Sequence, residues 1–143
     1  MADGWVCYHI GVGYPSPIQE WIGAGYYTQE GLGTVFYIEW YIDGVYNEIT
    51  ASGVTFGEQY WIQILNDIGS GGVNGDGDEG HWGATIWDSK YGNILLKKYD
   101  VDLPLNGDIH AVAEGESVDS RNDMEADFSE LRWEARARST RMK

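Results

Sequence analysis

Two glutamates near the end of the chain, Glu114 and Glu116, stand two residues apart in a predicted β-strand. Successive side chains of a strand point to opposite faces, so residues two apart share one face. Two carboxylates that close can serve as a general acid and a general base, or they can be two solvated surface acids. The sequence therefore predicts a carboxylate pair on one strand face and leaves both roles open.

Aromatic and polar residues alternate with apolar ones in two further strands. In residues 34–43, the set that we assign to the core is Phe36, Ile38, Trp40 and Ile42, and the solvated set is Tyr37, Glu39 and Tyr41. In residues 59–66, Tyr60, Ile62 and Ile64 point one way, and Gln59, Trp61 and Gln63 point the other. This alternation is typical of strands with one buried face.

The predicted outer face combines aromatic rings with acids and amides. Its candidate ligand-binding residues are Trp21, Tyr37, Glu39, Tyr41, Gln59, Trp61, Gln63 and Glu116. Aromatic rings stack on sugar faces or clamp extended chains, and the neighbouring acids and amides bond hydroxyl or backbone groups. The pattern favours a groove that holds an extended glycan or peptide.

A metal site is not expected, although one loop resembles a calcium loop. Asn74, Asp76 and Asp78 have the spacing of the first calcium ligands in an EF-hand. Glu79 occupies the position that requires Gly, and Thr85 the position that requires Glu. We therefore predict a solvated hairpin loop without metal or other cofactor, with calcium at these three residues as the alternative.

The three histidines and the single cysteine show no spacing typical of a zinc site. We expect structural or surface roles for His9, His81 and His110. Cys7 has no cysteine to pair with inside the chain, and the prediction for it is an ordinary buried thiol.

The charge is distributed unevenly along the 143 residues, whose net charge is −14. Residues 1–131 contain 22 of the 23 Asp and Glu but only four of the nine Lys and Arg. An acidic body argues against nucleic acid and anionic membranes as partners. The chain has no apolar run of membrane-spanning length and no recognisable signal peptide, so we expect it to be soluble.

Turn dipeptides such as Asp43-Gly44 and Asn106-Gly107 separate short runs rich in Val, Ile, Tyr and Trp. This punctuation predicts strands over residues 5–12, 18–27, 34–43, 59–66, 82–88, 93–101, 109–118 and 127–134. Eight strands with short connections predict an all-β fold, a two-sheet antiparallel sandwich or jelly roll. We assign residues 1–134 to one domain and residues 135–143 to a flexible basic tail.

Three short segments carry a family resemblance: Trp21-Ile22-Gly23-Ala24-Gly25, Ile38-Glu39-Trp40-Tyr41 and Ala113-Glu114-Gly115-Glu116-Ser117-Val118-Asp119. With Phe128 and Trp133 after them, they resemble the glutamic peptidases called eqolisins, and residues 23–43 are similar to the related neprosin domain. The resemblance implies a concanavalin-like sandwich with a peptide groove on its concave sheet, and an extracellular location.

The same resemblance implies a catalytic pair. Glu114 falls at the position of the family's general base. The family's catalytic Gln would fall at Trp21 or Gly23, so that Gln is not retained, and Gln19 is the candidate substitute on the same strand face. An amide beside a general base could orient a water molecule and stabilise an oxyanion.

Three functions remain open at this point. The first is a binding module that holds a glycan or an extended peptide. The second is an acid-active glutamic endopeptidase that uses Glu114 and Gln19. The third is an assembly subunit whose exposed aromatic residues form a subunit interface. Because sandwiches support many functions, the fold alone does not choose among them.

Overall fold

The computed structural model describes residues 5–13, 20–29, 31, 33–66, 81–103 and 108–116. For residues 5–9, 12 and 108–116 it describes the backbone only. All regular elements in these ranges are strands: β1 (Trp5–Gly13), β2 (Trp21–Gln29), β3 (Gly33–Ile42), β4 (Val45–Ala51), β5 (Tyr60–Asn66), β6 (His81–Asp88), β7 (Ile94–Asp102) and β8 (Asp108–Glu116). The described part of the chain has no helix that is long and apolar enough to cross a bilayer.

The strands form two antiparallel sheets. The five-stranded sheet has the order β4-β3-β2-β1-β8, and the three-stranded sheet has the order β5-β6-β7. Strands β1 to β4 form one meander, and strands β5 to β7 form another. The last strand, β8, returns to the first sheet and pairs with β1. The all-β, two-sheet prediction is confirmed.

The core lies between the two sheets. Its fully buried side chains include Ile22, Ala24, Phe36 and Ile38 from the five-stranded sheet and Ala84 and Ile86 from the three-stranded sheet. Trp40 and Ile42 pack against this cluster as partly buried residues. The alternation that assigned residues 36, 38, 40 and 42 to the core is therefore confirmed, because each sheet buries one face against the other.

Most strand predictions agree with the structure, and one strand was missed. β4 follows a tight turn in which Asp43 has φ 52° and Gly44 has φ 75°. Positive φ at both central residues is the condition for a type I′ hairpin, which Asp-Gly satisfies. The turn was recognised, but β4 contains Asn47, Glu48 and Ala51, residue types that are depleted in strands. The strand predicted over residues 127–134 and the predicted tail lie outside the described residues.

Candidate functional site

The predicted outer face is divided between two sides of the molecule. Trp21, Tyr37, Glu39 and Tyr41 alternate with the core residues of β2 and β3, so they occupy the outer face of the five-stranded sheet. Trp61 and Gln63 alternate with the core-packed residues of β5, so they occupy the outer face of the three-stranded sheet. The expectation of one groove that contains both groups is wrong, because the two faces point away from each other across the core.

On the five-stranded sheet, two of the predicted ligand-binding residues are not solvated. Tyr37 is 0% exposed and Glu39 is 8% exposed. The prediction assumed that side chains on the face opposite the core are exposed to solvent, and the side chains of Tyr37 and Glu39 are buried instead. Tyr37 packs edge-on against Tyr27, with ring centroids 5.2 Å apart, and the two form a second small buried cluster.

Glu39 belongs to a hydrogen-bonded group that we call the tyrosine–glutamate cluster, formed by Tyr27, Glu39, Tyr46 and Glu48. The hydroxyl of Tyr46 lies 2.8 Å from Oε2 of Glu39 and also contacts Oε2 of Glu48, and it donates its one hydrogen to these carboxylates. The hydroxyl of Tyr27 donates to Oε1 of Glu48 at 3.0 Å. Glu39 and Glu48 are direct cross-strand partners, and the bridging phenol offsets the repulsion between them.

Burial and the neighbouring carboxylates keep both phenols of this cluster in their neutral form. Burial, followed by the hydrogen bond to Glu48 and its charge, raises the pKa of Tyr27 from 10.0 to about 12. Burial and the hydrogen bonds to Glu48 and Glu39 raise the pKa of Tyr46 still further. Both tyrosines therefore remain donors at neutral pH, which is what carboxylate oxygens at these distances require.

The remaining aromatic residues of this face stack on each other. The rings of Trp21 and Tyr41, a cross-strand pair, have centroids 4.7 Å apart and planes within 6° of parallel. Glu39 on β3 and Gly23 on β2 are cross-strand partners. A Cβ added at Gly23 would stand 3.7 Å from Oε1 of Glu39, so the side chain of Glu39 lies over this glycine. This face therefore carries an aromatic pair beside a satisfied carboxylate cluster.

The register places the predicted catalytic residues as follows. Glu114 pairs with Cys7, which pairs with Tyr27 on β2, and Glu116 pairs with Trp5, which pairs with Gln29. Trp21 lies six residues before Tyr27 on β2, a separation of about 20 Å along a strand. Gln19, two residues before Trp21, lies outside the described residues, as do Asn74, Asp76 and Asp78 of the predicted loop.

The outer face of the three-stranded sheet holds an open depression of about 230 Å³ that we call the tryptophan pocket. Its lining residues are Trp61, Gln63, Trp87, Asp88, Ser89 and Gly92. Trp61 and Trp87 are direct cross-strand partners on β5 and β6, and Trp61 is 38% exposed. The pocket thus receives tryptophan side chains from two neighbouring strands on one surface.

Hydrogen bonds fix the polar wall of the tryptophan pocket. Oε1 of Gln63 accepts from Nε1 of Trp87 at 3.0 Å and from the hydroxyl of Thr85 at 3.1 Å. These bonds occupy the oxygen of the amide, and its NH2 group, on an exposed side chain, is a donor without a partner among the described residues. A fixed amide donor beside two indole rings can bond a hydroxyl of a ring-shaped ligand.

The β6–β7 turn closes one end of the pocket. The hydroxyl of Ser89 donates to the backbone oxygen of Gln59 at 2.6 Å, and Oδ1 of Asp88 accepts from the backbone nitrogen of Lys90 at 2.8 Å. Gln59, predicted as a ligand-binding residue, contributes its backbone to this contact and does not line the pocket. The second carboxylate oxygen of Asp88 has no partner among the described residues, so it is a further acceptor for a ligand.

Sequence reasoning identified Trp61 and Gln63 but missed Trp87, Asp88 and Ser89. Trp87 lies in a strand that was predicted correctly, and its alternation with Ile86 placed it on the outer face. Only the pairing of β5 with β6 brings it beside Trp61. The signal that could have found it was the recurrence of Trp at outer positions in two consecutive strands.

Comparisons with known proteins found no relative of this chain. No family model matches the chain, and neither a curated protein nor a solved structure is significantly similar to it. The class that the fold defines is a two-sheet antiparallel β-sandwich protein.

Proposed function

We propose that this protein is a glycan-binding module and that its tryptophan pocket holds one sugar ring of an extended glycan. The observation that supports the proposal is the cross-strand pair Trp61 and Trp87, with the amide oxygen of Gln63 on β5 bonded to Nε1 of Trp87 on β6. Indole rings offer a flat apolar surface to the face of a sugar ring. The amide and the carboxylate of Asp88 supply a donor and an acceptor for hydroxyl groups.

The dimensions of the pocket favour a single ring. Pockets for drug-sized ligands occupy roughly 300–1,000 Å³, so one of about 230 Å³ suits a smaller group. Side chains of β5, β6 and the β6–β7 turn line it, so a ligand in the pocket would contact side chains and not the backbone of the edge strand β5, which a peptide that extends the sheet would use. The rest of an extended glycan would continue over the open surface on either side.

The test is binding of the full chain to a glycan array, followed by calorimetry with the best oligosaccharide. Trp61→Ala removes the more exposed of the two rings, and we expect affinity to fall about tenfold or more, since truncation of a central aromatic contact commonly costs over ~1 kcal/mol. Phe56→Ala is the matched control, because Phe56 is an exposed aromatic residue that does not line the pocket. Absence of binding to every glycan, or equal affinities for the two variants, would refute the proposal.

The finer fold class and the other two functions remain hypotheses. The concanavalin-like jelly roll and the glutamic peptidase, with Glu114 as general base and Gln19 as its partner, rest on the family resemblance. Retained cleavage of a denatured protein at low pH by Glu114→Gln would eliminate the assigned peptidase mechanism. The assembly hypothesis rests on the exposed aromatic residues, and a monomer in sedimentation at high concentration would remove it.

A further inference from the structure

One histidine and two aspartates converge at the end of the three-stranded sheet that is remote from the tryptophan pocket. Nε2 of His81 lies 3.5 Å from Oδ1 of Asp100 and 3.3 Å from Oδ1 of Asp102. One ligand atom from each of the three residues lies within 4.8 Å of the others. His81 is six residues from Trp87 on β6, about 20 Å along a strand, so this group is separate from the pocket.

A β-bulge brings the third residue into the group. His81 pairs with Asp102 and Trp82 with Val101, but Ala84 pairs with Lys98, so β7 contains one extra residue opposite Gly83. Asp100 lies in this bulge with φ 60°, a left-handed conformation that Asp adopts more readily than most residues. Bulges redirect side chains, and here the carboxylate of Asp100 comes to lie beside the directly paired His81 and Asp102.

The two distances are compatible with a tetrahedral metal ion. Charge-assisted hydrogen bonds between nitrogen and carboxylate are about 2.7–2.9 Å long, shorter than both distances here. With metal–ligand bonds of about 2.0–2.2 Å, two ligands of a tetrahedral Zn²⁺ stand roughly 3.3–3.6 Å apart. The two nitrogen–oxygen distances therefore match the edges of a tetrahedron.

We propose that His81, Asp100 and Asp102 bind a divalent transition-metal ion of the zinc class. The imidazole favours such an ion over Ca²⁺ or Mg²⁺, which prefer oxygen ligands. Three protein ligands leave the fourth tetrahedral position to a water molecule or to a group of a bound partner. Asp102 is 82% exposed and Asp100 42% exposed, so the ion reaches the site from solvent without rearrangement of the core.

The test is titration of the untagged full chain, first freed of metal, with Zn²⁺ by calorimetry and with Co²⁺ by visible absorption. We expect one ion per chain and, with Co²⁺, the intense absorption of a tetrahedral complex. Asp102→Asn removes one ligand, and because this side chain is 82% exposed the variant keeps its fold. We expect its affinity for Zn²⁺, and that of His81→Gln, to fall by about 100-fold.

Two control variants remove the same residue types elsewhere. Asp43→Asn alters an exposed turn that tolerates Asn, and His110→Gln alters a histidine on β8. Both are expected to bind Zn²⁺ as tightly as the unaltered chain. The proposal is overturned if the chain takes up no stoichiometric Zn²⁺, if Asp102→Asn binds it unchanged, or if His110→Gln weakens binding as much as His81→Gln.

Discussion

Removal of the Tyr46 hydroxyl from the tyrosine–glutamate cluster tests how much this donor stabilises the fold by bonding the buried carboxylate of Glu39. The hydroxyl of Tyr46 donates to Oε2 of Glu39 at 2.8 Å, and Glu39 is only 8% exposed. In Tyr46→Phe the buried carboxylate loses this donor while the ring remains in place. The same change removes the contact of this hydroxyl with Glu48, so it separates the hydrogen bonding of Tyr46 from the packing of its ring, and a double-mutant cycle with Glu39→Gln isolates the share of Glu39.

The expected destabilisation follows from the partners of this bond. Hydrogen bonds to charged groups contribute about 1.5–3 kcal/mol, and a buried group left unsatisfied adds its desolvation penalty. Tyr46 itself is 43% exposed, so water can replace part of the bond, and we place the loss at about 1–2 kcal/mol. For a chain of this size that corresponds to a fall in Tm of roughly 3–6 °C.

The assay is thermal and urea unfolding at pH 7, followed by circular dichroism. Tyr91→Phe is the matched control, because Tyr91 is 71% exposed and is placed in the β6–β7 turn region. We expect its free energy of unfolding to change by less than about 0.5 kcal/mol, as for most surface substitutions. A double-mutant cycle with Glu39→Gln measures the coupling between the two side chains directly.

Two results would contradict the reasoning. The first is equal stability of Tyr46→Phe and Tyr91→Phe, which would mean that the bonds of the Tyr46 hydroxyl to Glu39 and Glu48 contribute nothing measurable. The second is additive effects of Tyr46→Phe and Glu39→Gln, because residues in one hydrogen-bonded network are expected to show a coupling energy of about 0.5–3 kcal/mol.

Three further predictions concern Tyr27, two glycines and the core. The pKa of Tyr27 is raised from 10.0 to about 12, so the contribution of its neutral phenol to stability is complete below pH 10 and is lost as pH rises towards 12. Urea unfolding across that pH range should show a smaller loss of stability for Tyr27→Phe than for the unaltered chain. Gly44→Ala should destabilise the fold by about 1–2 kcal/mol, because φ is 75° at this residue. Gly23→Ala should be neutral or stabilising by up to about 1 kcal/mol, because the added Cβ would make only ordinary contacts. The urea midpoints of the two variants, each compared with that of the unaltered chain, test both expectations. Phe36→Ala should cost about 3–5 kcal/mol, because Phe36 is fully buried between the sheets, and an unchanged urea midpoint would contradict that assignment.

Local sequence patterns were enough to predict the all-β class, most strand positions and the core face of β3. These properties depend on local alternation and on turn residues, and both are visible without knowledge of pairing. Asp43-Gly44, for example, specified a hairpin turn before any contact was known. The same reasoning correctly separated Ile62 from Trp61 on β5.

Which outer faces lie on the same side of the molecule depends on how the strands pair into sheets. Alternation along a strand shows which side chains point away from the core, but it does not show which sheet the strand joins. Pairing of β5 with β6 placed Trp61 beside Trp87, whereas Glu39 came to lie beside Glu48 and Tyr46 on the opposite side of the molecule. A register shift in β7 likewise brought Asp100 to His81. Trp61 and Trp87, like His81 and Asp100, are distant in sequence, so no local pattern could specify that they meet.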